Sequence, residues 1–145
     1  MGRIVVGVDG SEGSRQALLW AAKEAALRGA TLEVIHTYAP PQEVGVSGSA
    51  TQTAHYFEAA GEVARELVAG MTVAVEEVEV RGHAVESLDP ARTLVERSAG
   101  ADMLVVSSRG RGGLRSLLLG SVSHQCAQQA TCPVVIVRSG PPGQT

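Results

Sequence analysis

Short continuous apolar runs alternate along the chain with apolar residues set at helical spacing. Four runs stand out: Ile4–Val8, Leu32–Thr37, Met103–Ser107 and Val134–Val137. Continuous rather than alternating apolar character is what strands need when both faces of a parallel sheet are covered. A fifth run, Val73–Val80, mixes valines with Glu76, Glu77 and Glu79 and predicts an edge strand with one wet side. Between the first two runs, Ala17, Leu18, Ala21, Ala22 and Ala25 form one helical stripe, with Ser11 as N-cap and Gly29 as C-terminal stop. A second helix is expected over about Thr53–Ala69. A third is announced by Asp89-Pro90 and carries Leu94 and Val95 inward as far as Gly100. A fourth runs from Ser121 to Ala130, with Pro133 just beyond.

This order, β-α-β-α-β-α-β-α-β, predicts an α/β fold with a parallel sheet and right-handed crossovers. The expected unit is one domain over residues 1–138, with a flexible tail at 139–145. Pro40–Ala50, rich in Gly, Ser and Pro, also reads as mobile. The segment His83–Asp89 reads as a surface insertion before the third helix, because added loop length costs little entropy.

Composition narrows the function. A net charge of −3 with no basic block, and 3% aromatic residues, argue against a nucleic-acid or anionic-membrane partner. No apolar run approaches the ~20 residues of a spanning helix, and the start Met1-Gly2-Arg3-Ile4 lacks a signal-peptide layout, so a cytoplasmic protein is expected. Cys126 and Cys132, six apart, fit neither a redox CxxC pair nor a zinc site and read as reduced structural thiols.

Candidate chemistry gathers where strands end. The first run leads into Gly7-Val8-Asp9-Gly10-Ser11, and the fourth into Ser107-Ser108-Arg109-Gly110-Arg111-Gly112-Gly113, followed later by Gly120-Ser121-Val122-Ser123. In open α/β sheets the ligand crevice lies at these carboxyl ends, where strand order reverses. Glycines let main-chain N–H groups approach an anion, and a helix N-terminus adds donors and partial positive charge. Ser121 and Ser123 add hydroxyls, and Arg109, Arg111 and Arg115 add positive potential, together a polyphosphate cradle. Each has a plainer alternative: Asp9 shapes a turn or accepts from a ribose hydroxyl or adenine amino group, Ser121 is an N-cap or a ligand, and the arginines are solvated charge. The Walker A sequence is absent, Arg115 breaks G-x-G-x-x-G, and H-E-x-x-H and G-x-S-x-G are absent. No pair of catalytic acids is identified.

These residues together resemble the universal stress protein family, over nearly the whole chain. Ile4-Val5-Val6-Gly7-Val8-Asp9-Gly10-Ser11 is similar to that family's first strand and turn, and Cys132-Pro133-Val134-Val135-Ile136-Val137 to its last strand. Its ATP-binding branch carries G-x2-G-x9-G-[ST], matched here by Gly110, Gly120 and Ser121, with Ser107 in place of the first glycine. The resemblance implies an open five-stranded sheet ordered 3-2-1-4-5 with helices on both faces, similar to the adenine nucleotide alpha hydrolases. It implies ATP held with adenine near Val8, Asp9 and Thr37, with phosphates on Ser107, Gly110, Gly120, Ser121, Val122 and Ser123, and with Mg²⁺ on the phosphate oxygens. It also implies a homodimer through Val134–Val137. The function it implies is regulatory ATP binding in a stress response. The alternatives are a dimeric adaptor without nucleotide and, at most, a weak ATP hydrolase.

Overall fold

The structure is a computed structural model that describes residues 2–39, 62–63, 65–71, 78–109 and 119–138. Five strands alternate with helices: β1 (Arg3–Val8), α1 (Glu12–Arg28), β2 (Thr31–Tyr38), α2 (residues 65–71), β3 (Val80–Glu86), α3 (Pro90–Arg97), β4 (Met103–Ser107), α4 (Ser121–Gln129) and β5 (Val134–Val137). They form one sheet in the order β3-β2-β1-β4-β5, with every neighbouring pair parallel. The expected fold and strand order are therefore both present.

Alternate residues of the central strands feed two cores. Ile4, Val6 and Val8 of β1, with Leu32, Val34, Met103 and Val105, pack against Ala17, Leu18, Ala21 and Ala25 of α1. Val5, Ile35, Leu104 and Val106 point the other way, toward Ala91 and Leu94 of α3 and Cys126 of α4. Burial on both sides explains why these strands read as unbroken apolar runs.

The helix ends follow local chemistry. Ser11 accepts a hydrogen bond from the Ser14 amide at 3.2 Å, and Gly29 closes α1 in the left-handed region at φ 63°. Asp89 accepts from the Arg92 amide at 3.2 Å, and Pro90 opens α3 as expected. That helix stops at Arg97 with Ser98 as its cap, short of Gly100. The described part of α2 reaches residue 71 rather than 69, and residues 53–61 of the expected helix lie outside the described residues. So do Pro40–Ala50 and the tail 139–145.

The third strand corrects the sequence reading. It runs over Val80–Glu86, so of the expected run Val73–Val80 it includes only Val80, residues 73–77 lying outside the described residues, and most of the segment read as an insertion at His83–Asp89 is this strand. Pairing with β2 decides the matter: Leu32 is in register with Val80, and Tyr38 with Glu86. As the edge of the sheet, β3 exposes Arg81 and Gly82 and fully buries none of its residues, so it carries no apolar run to find.

At the amino ends of the strands a polar cluster lines a cavity of about 350 Å³. The Arg3 guanidinium donates to the carbonyls of Arg97 and Ala99, each at 2.9 Å, and to Glu33 at 3.3 Å. The Arg3 amide donates to Asp102 Oδ2 at 3.1 Å, and the Asp102 amide donates back to the Arg3 carbonyl at 2.8 Å. A Cβ at position 2 would meet the Asp102 carboxylate, so a larger residue there would require that side chain to shift.

Candidate nucleotide site

At the other end of the sheet, strand order reverses around β1, whose neighbours β2 and β4 lie on opposite sides. The crevice expected at such a point is present as a cavity of about 300 Å³. Val8, Asp9, Thr37, Ser107, Gly120, Ser121, Val122 and Ser123 all line it. These are eight of the nine residues proposed from sequence; the ninth, Gly110, lies outside the described residues with Arg111 and Arg115.

The β1–α1 turn makes one wall. Asp9 Oδ1 accepts from the Ser11 amide at 2.9 Å, and Gly10 has φ 84°, a value glycine tolerates at little cost. Asp9 thus shapes its turn while its residue faces the cavity, so the two readings offered for it are compatible. Ser14 is buried in this wall; its hydroxyl donates to the Ser11 carbonyl at 2.9 Å and accepts from the Asp9 amide at 3.3 Å.

The β4–α4 connection makes the facing wall. Ser107 ends β4, and its hydroxyl donates to the Arg109 carbonyl at 3.0 Å. The Ser108 carbonyl accepts from the Gly120 amide and from Ser123 Oγ, the latter at 3.1 Å, so the start and end of the intervening loop are tied together. Gly120, not Ser121, is the N-cap residue of α4, and it makes no side-chain cap. The first bond within the helix runs from the His124 amide to the Gly120 carbonyl at 3.0 Å. The N–H groups of Ser121, Val122 and Ser123 therefore have no acceptor within the helix and sit at its positive end.

The floor is apolar, made by Ile35, Pro90, Leu94 and Val106. Gly7 matters here: a Cβ would sit 2.7 Å from Leu94 Cδ1, so glycine lets α3 press close under the cavity. Sequence reasoning placed Gly7 in the run that leads to the site but missed Ser14, Ile35, Pro90, Leu94 and Val106. The apolar ones look like any other core residue. Ser14 did carry a signal: it lies three residues before Ala17 on the buried stripe of α1, a polar residue where a small apolar one would serve.

The arrangement offers a flat apolar slot, a carboxylate on one side and a row of N–H donors on the other, which suits a nucleoside carrying phosphate. Among the described residues no group of three or more His, Cys, Asp or Glu side chains converges to hold a metal ion. Under the site, Cys126 is fully buried, and burial, then the Asp89 charge, then Cys132, push its thiol up to about 11. A thiol held protonated fits a structural role.

The universal stress protein family model matches residues 1–138. The chain belongs to the universal stress protein family. A universal stress protein of Mycobacterium tuberculosis is 38% identical over 143 residues, covering 93% of this chain and 44% of the relative. The chain thus spans about half the length of such mycobacterial relatives. Universal stress protein YxiE of Bacillus subtilis is 32% identical over 145 residues, covering 94% of this chain and 98% of the relative. A crystal structure of a universal stress protein in complex with cAMP matches with a TM-score of 0.67 and 28% identity, covering 96% of this chain and 98% of that one. No described helix is long and apolar enough to cross a membrane.

Proposed function

We propose that this universal stress protein binds ATP with Mg²⁺ as a regulatory ligand. The observation that carries the reading is the cavity at the switch point, where the Asp9 turn faces the N–H groups that open α4. Adenine fits the slot over Ile35, Leu94 and Val106, with Thr37 at its edge, and Asp9 accepts from the ribose. The phosphates lie along Ser107, Gly110 and the main chain of Gly120, Ser121, Val122 and Ser123, and carry the Mg²⁺. The cAMP complex of a related protein supports an adenine nucleotide as ligand class. Among the described lining residues only Asp9 is a carboxylate, and it already accepts from Ser11, which favours binding over hydrolysis.

We place the protein in the cytoplasm as a homodimer through Val134–Val137. This strand is a sheet edge with its residues half-buried, and two-fold pairing would close it. Light scattering at micromolar concentration should give twice the chain mass; a monomer mass overturns the dimer.

Thermal unfolding tests the ligand. At a hundredfold excess of Mg-ATP over its dissociation constant, stabilisation should be about 2.7 kcal/mol, a rise of roughly 5–10 °C in Tm. No shift, together with no heat in calorimetry, leaves the nucleotide-free adaptor as the reading.

A further inference from the structure

The two walls of the cavity are built by the same device. Ser14 is the third residue of α1 and Ser123 the third residue of α4. Each is about 1% exposed and lines the cavity. Each hydroxyl donates to the carbonyl of its own helix's N-cap residue, Ser14 to Ser11 at 2.9 Å and Ser123 to Gly120 at 3.1 Å. Each also bonds the residue just past the end of the preceding strand. Ser14 Oγ accepts from the Asp9 amide at 3.3 Å, and Ser123 Oγ donates to the Ser108 carbonyl at 3.1 Å.

We propose that Ser14 and Ser123 are paired positioning residues that hold the start of α1 and the start of α4 against the ends of β1 and β4, in the ligand-binding arrangement, before any ligand arrives. The inference rests on the nucleotide reading above and changes one residue's part in it. A serine hydroxyl has a single proton. That of Ser123 is shared between two carbonyls, so it does not donate to a phosphate while the turn stands. Its contribution is to hold the α4 N–H groups in place; Ser14 does the same for the Asp9 turn. Preorganised donors bind an anion without the cost of ordering a loop at the moment of binding.

The test compares amide hydrogen exchange in nucleotide-free protein with Mg-ATP affinity, for the unmodified chain, Ser14→Ala and Ser123→Ala. Loss of one buried hydrogen bond should weaken Mg-ATP by roughly fivefold to tenfold in each variant. In the absence of nucleotide, exchange of the Gly120 amide should speed up by about the same factor in Ser123→Ala, and that of the Asp9 amide in Ser14→Ala. Exchange in the middle of β1 should not change. Ser123→Thr, which keeps the hydroxyl, should restore both readouts. Weakened binding with unchanged exchange in the nucleotide-free variants would make the hydroxyls direct ligands and overturn the proposal. Faster exchange with unchanged affinity overturns it as well. Failure of the nucleotide reading looks different: the unmodified chain then shows no Mg-ATP binding at all.

Discussion

At the amino ends of the strands, Arg3 donates to the Arg97 and Ala99 carbonyls and to Glu33, and its main chain exchanges bonds with Asp102. At the carboxyl ends, three N–H groups at the start of α4 have no acceptor in their helix, and a cavity of about 300 Å³ stands between the two turns. The same sheet thus ties one end, around a polar cavity of about 350 Å³, with a guanidinium that reaches carbonyls 94 and 96 residues away in sequence, and lines the cavity at its other end with glycines and serines. The difference lies in reach. A guanidinium bridges several carbonyls at once and ties distant segments together, whereas a short hydroxyl reaches only the end of its own helix and the strand end beside it.

If the two ends divide stability from binding in this way, changes at one should leave the other alone. The largest effect belongs to Gly120→Val. Gly120 has φ −72°, so valine meets no backbone strain, but its branched side chain enters the cavity wall beside the N–H donors. Mg-ATP binding should fall below detection in calorimetry while the circular dichroism spectrum and urea midpoint stay close to those of the unmodified chain. Normal binding by a folded variant would put the ligand elsewhere.

Arg3→Ala tests the amino end. It removes a partly exposed guanidinium together with its bonds to two carbonyls and a carboxylate. With exposure discounting the ion pair, the loss should be about 2 kcal/mol, read as a lower urea midpoint, with Mg-ATP affinity unchanged in the fraction that is folded. Loss of affinity without loss of stability would abolish the division between the ends.

The smallest effect concerns Cys126, one turn beyond Ser123 on the buried side of α4. Its thiol stays protonated to about pH 11 in the folded chain, against an ordinary value of 9.0. Below about pH 9 neither state ionises and the thiol adds no pH dependence. Between about 9 and 11 the unfolded thiol loses its proton while the folded one keeps it, so stability falls as pH rises. That fall should be shallower in Cys126→Ala than in the unmodified chain, as measured by urea unfolding across this range. At pH 8, iodoacetamide should modify Cys132 and spare Cys126 until urea is added; equal rates without urea would mean that α4 opens freely beneath the cavity.

Much of the molecule was legible in its residues. Four of five strands were visible as apolar runs, the central β1, β2 and β4 because helices cover both faces of the sheet there, and the edge strand β5 because all four of its residues are apolar. Ser11, Gly29 and Asp89-Pro90 marked helix ends because capping is a contact between near neighbours in sequence. The position of the cavity could be read from glycine and serine at two strand ends, and the family from the two end strands together with the spacing of Gly110, Gly120 and Ser121.

What the sequence did not disclose are the features that depend on a partner distant in the chain or on the direction of one hydroxyl. Residue type alone does not place β3, because an edge strand half open to water needs no apolar run, and its register comes from β2. Leu94 became part of the cavity floor only when α3 came to rest against Gly7. The sequence set which residues stand at the ends of β1 and β4. Only the folded chain, by bringing the Ser108 and Gly120 carbonyls within reach of one proton, decided that Ser123 holds the wall of the site.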